Sequence, residues 1–128
     1  MSQTSRDVTE AELSVLQALW DGGPSTIRRL VEAVYGQPGA SAYATVQKLL
    51  ERLEAKEFVT RDRSGSIHVF RASVARGELI TRRLRAVADT LCGGSMTPLL
   101  THLVQSEKLS SKERASLRKL LEDLGKST

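Results

Sequence analysis

The chain has a single cysteine, Cys92, so no disulfide can close within it and no cage of thiolates can hold a metal. Its two histidines, His68 and His102, stand far apart. No Gly-rich phosphate loop, metal-ligand spacing or nucleophile elbow occurs anywhere in the order of residues. These gaps argue against an enzyme, and no cofactor or metal is expected. Both histidines are read as surface or interface residues, and Cys92, beside two glycines, as a small packed side chain. No apolar run approaches the length of a membrane span, and residues 1–7 are polar without an apolar leader core. The expectation is a cytoplasmic protein that does not insert into a membrane. Aromatic residues are only 4% of the chain, which leaves Leu, Val and Ala to build the core and favours helices.

The 128 residues, 40% hydrophobic and 27% charged, suit one ordinary domain or a small domain with a dependent appendage. Nineteen Lys and Arg against 15 Asp and Glu leave a formal charge of +4. That sign fits a polyanionic partner, but many enzymes share it, so its distribution says more. Residues 41–76 hold seven basic side chains (Lys48, Arg52, Lys56, Arg61, Arg63, Arg71, Arg76) against four acids (Glu51, Glu54, Glu57, Asp62), which is +3 in 36 residues.

Periodicity divides the chain. Thr9 and Glu12 form a capping box, and Leu13, Leu16, Leu19 and Trp20 follow as one helical stripe, stopped at Gly22-Gly23-Pro24. Ser25 is placed to cap a second helix with Ile27, Leu30, Val31 and Val34 on its buried face, broken at Gly36, Pro38 and Gly39. A third helix, about residues 42–56, repeats the spacing with Val46, Leu49, Leu50 and Leu53. Short one-faced helices joined by tight breaks must pack on one another, which is the logic of a helix-turn-helix. The period then changes. Residues 59–63 and 66–71, rich in Val, Ile, Phe and Thr, flank Ser64-Gly65 and read as a hairpin with a tight turn, carrying Arg61, Arg63 and Arg71. Three helices and a basic hairpin make a winged helix.

From Glu78 the helical period returns in Ile80, Leu84, Val87 and Leu91, ending at Gly93-Gly94. Thr97 and Pro98 open a short helix through Leu99, Leu100, Leu103 and Val104, and Ser110 with Glu113 caps a last helix lined by Leu117, Leu120, Leu121 and Leu124. The fold class is therefore mainly α with a small β-hairpin. The division is a winged helix-turn-helix over residues 1–75 and a helical dimerisation segment over 76–128. One-faced helices without aromatics make a poor independent core, and pairing with a second copy buries their stripes, with Leu84, Leu91, Leu117 and Leu121 in or under the interface. Folding back onto the winged helix in a monomer is the alternative.

On the third helix, at about 100° per residue, Ala44 and Lys48 point away from the apolar stripe, with Thr45, Gln47, Glu51 and Arg52 on the flanks. Short or hydrogen-bonding side chains in the N-terminal half suit entry into the ~12 Å major groove: Ala and Thr against a thymine methyl, Gln with adenine, Lys with guanine. Arg52, one turn on, is placed for a phosphate. Tyr43 has a bearing close to the buried face, with its hydroxyl able to reach a phosphate. A solvated helix face or a winged helix that binds only proteins is the rival reading.

Several runs together resemble the penicillinase and methicillin-resistance repressors, the BlaI/MecI family. They are Thr9-Glu10-Ala11-Glu12 through Leu19-Trp20, Gly22-Gly23-Pro24, Tyr43-Ala44-Thr45-Val46 and Leu49-Leu50-Glu51-Arg52-Leu53. Arg61-Asp62-Arg63-Ser64-Gly65, His68-Val69-Phe70, Leu91-Cys92-Gly93-Gly94-Ser95 and Glu107-Lys108-Leu109-Ser110 extend the likeness over about residues 9–124. The resemblance implies a homodimeric repressor on dyad-symmetric operator DNA, often of antibiotic-resistance genes, released when a membrane sensor-protease triggers C-terminal cleavage. It implies DNA contacts at Ala44, Thr45, Gln47, Lys48 and Arg52, with Arg63 in the wing. A regulator of another set of genes under a different signal is the alternative. Ser41-Ala42 stands where relatives often have Trp-Ser, and the relatives' Asn-Phe cleavage point falls here near His102-Leu103. The C-terminal cysteine cluster of the copper-responsive branch is missing, so copper sensing is not expected.

Overall fold

The computed structural model describes residues 7–106 and 109–126, so the polar pair Glu107-Lys108 lies outside the described residues. In chain order the elements are α1 (Glu10–Gly22), α2 (Ile27–Tyr35), α3 (Ala40–Ala55), β1 (Val59–Asp62), β2 (Val69–Ala72), α4 (Arg76–Leu91), α5 (Thr97–Gln105) and α6 (Ser111–Lys126). The chain divides into two compact units, Met1–Leu79 and Ile80–Thr128.

The first unit holds the core. The predicted stripes converge there: Val15, Leu16 and Leu19 of α1, Leu30 and Val31 of α2, and Val46, Leu49, Leu50 and Leu53 of α3 are all buried. Although Leu and Val dominate by number, Phe58 and Phe70 head the fully buried side chains by volume. Both phenylalanines are thus placed at the centre. Trp20 packs against the cluster and its Nε1–H donates to the Val74 carbonyl at 2.8 Å. Arg76 lies over the Trp20 ring at 5.1 Å and pairs with Asp21 at 2.9 Å, and Leu79 is buried, so the first turn of α4 belongs to this unit.

The Thr9–Glu12 capping box forms as expected, with each side chain bonded to the other's amide at 3.2 and 3.0 Å. The second cap shifts by one residue. Ser25 exchanges both backbone hydrogen bonds with Phe70, at 2.9 and 2.8 Å, as an isolated antiparallel bridge. A residue so engaged is extended, and Thr26 takes the cap by accepting from the Arg29 amide. The start of α3 comes two residues before the expected Ala42, behind Gly39, which offers no side-chain cap. Its exit passes through Glu57 at φ 66, a left-handed turn that lets Phe58 donate back to the Leu53 carbonyl and enter the core.

The hairpin is antiparallel with Val59 opposite Ala72 and Asp62 opposite Val69. Both strands are shorter than expected, and residues 63–68 form a loop rather than a two-residue turn. A type I′ turn needs positive φ at both central positions and a type II′ turn at the first, and neither Ser64 nor Gly65 has it.

In the second unit α4 ends at Gly93 (φ 59) and Gly94 (φ 87), and the amides of Cys92 and Gly94 both donate to the Ala88 carbonyl in the preceding turn. Cys92 is half-buried. Thr97 is the first residue of α5 rather than its cap, because Met96 holds the cap position and Ser95 Oγ takes the Thr97 amide. The Ser110–Glu113 capping box forms at the start of α6. Among the described residues of this unit, Ala88 is the buried hydrophobe.

Candidate nucleic-acid interface

The face of α3 opposite its buried stripe is built as the periodicity predicts. Ala44, Thr45, Gln47, Lys48, Glu51 and Arg52 are all exposed while Val46, Leu49, Leu50 and Leu53 point into the core. Among the described residues neither Lys48 nor Arg52 is paired with a carboxylate, so both carry charge outward. Thr45 donates its hydroxyl to the Ser41 carbonyl one turn back, at 3.0 Å, which fixes the rotamer. Tyr43 is 45% exposed; the smaller Ala42 supplies the first-turn contact to the core instead.

Alternation along the hairpin separates its three arginines. Val59 and Arg61 face inward with Phe70, whereas Thr60 and Arg71, paired across the strands, face solvent. Arg61 is therefore an interior strut: its Nε and Nη2 donate to the two oxygens of Glu54, and its guanidinium lies 4.7 Å from the centre of the Phe70 ring. Arg63, beyond the strand, keeps its side chain 64% exposed, with Nη2 4.0 Å from Glu54 Oε2. Glu54 is in the last turn of α3, so that distance brings the exposed wing cation beside the C-terminal end of the α3 face. Asp62 accepts from the Ser64 amide at 2.9 Å, and this bond, helped by the Ser64 side chain, holds its carboxyl below the usual range. The ionised carboxylate thereby ties down the start of the wing loop.

Composition arguments passed over Arg28 and Arg29, adjacent and exposed in the first turn of α2. Their signal was present: two cations outside the stripe of Ile27, Leu30, Val31 and Val34. Glu54 carried no such signal, since its partner is seven residues away across a turn.

In the second unit Leu84, Leu91 and Leu121 are 44%, 79% and 53% exposed, and Leu117 is half-buried. His102 and Leu103 are exposed on α5. Among the described residues no group of side chains could hold a metal ion, and no helix is long and apolar enough to cross a membrane.

Three helices closed by an antiparallel hairpin, with a polar outer face on the third helix and a cation on the hairpin loop, define a winged helix-turn-helix. Comparison with known proteins gives the family. The penicillinase repressor model matches residues 8–123, and the chain belongs to that family. It is similar to the penicillinase repressor of Staphylococcus aureus, at 24% identity over 98% of this chain and 99% of the relative. It is also similar to the transcriptional regulator BlaI of Mycobacterium tuberculosis, at 31% identity over 90% of this chain and 83% of the relative. The protein is accordingly a transcriptional regulator and not an enzyme.

Proposed function

We propose that this chain is a homodimeric repressor that lays α3 of each copy into one half-site of a dyad-symmetric operator duplex. The observation that carries the reading is the junction of the α3 face with Arg63, 4.0 Å from Glu54, which makes helix and wing one surface. Ala44, Thr45, Gln47 and Lys48 meet base edges, Tyr43, Arg52 and Arg63 the sugar-phosphate backbone, and Arg28 and Arg29 add cations for phosphates.

Dimerisation is supported by what the second unit leaves uncovered. Ile80, Leu84, Val87, Leu91, Leu100, Leu103, Val104, Leu120, Leu121 and Leu124 are all 39–79% exposed, and two half-sites one helical turn apart require two copies. The name of the Staphylococcus aureus relative points to control of penicillinase genes, and the family resemblance implies release by cleavage in α5 at His102-Leu103 once a membrane sensor-protease is triggered. That helix contains no buried residue, so local opening is cheap there.

The test is selection of duplexes from a random-sequence pool by the full chain. A palindromic site is expected, bound with an affinity that falls steeply with salt. Arg52→Ala should weaken all sequences alike, whereas Gln47→Ala or Lys48→Ala should shift preference at one base step, by about 1–3 kcal/mol for a bidentate contact. An unchanged profile in all three variants would remove α3 from the interface. Blotting for a shortened chain with and without a β-lactam checks release; full-length protein alongside induced genes would point to a different signal.

A further inference from the structure

The cations of the wing are not equivalent. Arg61 meets Glu54 as a planar fork, with Nε to Oε2 at 3.1 Å and Nη2 to Oε1 at 2.5 Å, and its Nη1 lies 3.4 Å from Nδ1 of His68. The two side chains are only 17% and 24% exposed. Two parallel N–H bonds on one carboxylate set angle as well as distance, and a shielded pair is less weakened by salt than an exposed one. Glu54 belongs to α3, Arg61 to β1 and the ring beneath it, Phe70, to β2. One guanidinium thus ties both strands of the wing to the helix bearing the polar face.

We propose that Glu54 and Arg61 are positioning residues of the DNA interface: they touch no DNA, but set where the wing loop holds Arg63 relative to α3. The inference rests on the reading of α3 and Arg63 as DNA contacts. It also accounts for an acid at the edge of a polyanion site. Left alone, the Glu54 carboxylate would repel phosphate; engaged by Arg61, its charge is matched and its geometry is put to use.

The experiment uses the full chain and the duplex that the wild-type chain selects from a random pool. Affinity and its salt slope are measured for wild type, Arg63→Ala, Glu54→Gln and the double variant, with thermal unfolding of each. Glu54→Gln keeps the shape and removes the fork. It is expected to lose affinity on the order of tenfold and about one unit of salt slope, as Arg63→Ala does. The double variant should lose no more than Arg63→Ala alone, because a side chain that is absent cannot be misplaced. Preference at the base steps read by Gln47 and Lys48 should not move. Arg61→Lys, which keeps charge without the fork, should behave as Glu54→Gln does, and covers the case in which the latter does not fold. Losses that add in the double variant, or wild-type or tighter binding by Glu54→Gln or Arg61→Lys, overturn the inference while the contact role of Arg63 stands. If the wild type selects no duplex, or Arg63→Ala binds as it does, the underlying reading falls and the inference with it.

Discussion

Glu12 lies 1% exposed in the first unit, accepting from Lys56 Nζ at 2.6 Å and from the Thr9 amide at 3.0 Å. Burial alone pushes its carboxyl up, but the Lys56 hydrogen bond, the Thr9 amide and the Lys56 charge together outweigh that and hold it below the ordinary value. A carboxyl depressed in the folded state adds stability above its unfolded value, about 4.3, and that stability is lost as pH falls through the folded value. Denaturant unfolding of wild type and Glu12→Gln should therefore differ by a constant amount down to about pH 5 and converge below it. A difference that persisted undiminished to about pH 3 would show that the carboxylate is not linked to folding. Lys56 also donates to the Asp7 carbonyl at 2.7 Å, so one side chain serves the cap of α1 and the segment leading into it.

At the scale of elements, the break between α1 and α2 doubles as a sheet edge. The main chain of Ser25 is taken by Phe70, and its hydroxyl donates to the Gly23 carbonyl at 2.8 Å. Thr26→Ala should cost about 1 kcal/mol through loss of the α2 cap. Ser25→Ala should leave the cap intact and act only through Gly23, so its cost should respond to Gly23 and not to α2 helicity. Amide exchange in the first turn of α2, measured for both variants, separates the two; faster exchange there in Ser25→Ala alone would return the cap to Ser25. The wing shows the same dependence on long-range pairing. Val59 and Phe70 could be assigned to strands from their types, but alternation against α3 turns Arg61 inward and leaves Arg63 out.

For the whole molecule, Leu79 is part of the core and Arg76 lies over Trp20, so the winged helix requires the first turn of α4. A chain ending after residue 86 should unfold cooperatively and sediment as a monomer, while the full chain sediments as a dimer. Ending at residue 75 should lower stability by about 2–3 kcal/mol through loss of Leu79 burial alone. A dimer from the chain ending after 86 would move the pairing surface out of the C-terminal helices.

Local chemistry carried much of this protein into view. The stripes of α1, α2 and α3, the capping boxes at Thr9 and Ser110, the Gly93-Gly94 exit and the outward set Ala44, Thr45, Gln47, Lys48 and Arg52 all follow from 3.6-residue periodicity and from satisfying helix ends within four residues of chain. What those rules do not contain is any partner farther away. The pairing of Ser25 with Phe70, the seat of Ala42 in place of Tyr43, and the fork between Glu54 and Arg61 each depend on which surfaces meet once the helices have packed. Charge in a sequence has only a sign. Whether an arginine is a strut or a contact is decided by the side chain that packing brings within hydrogen-bonding distance of it.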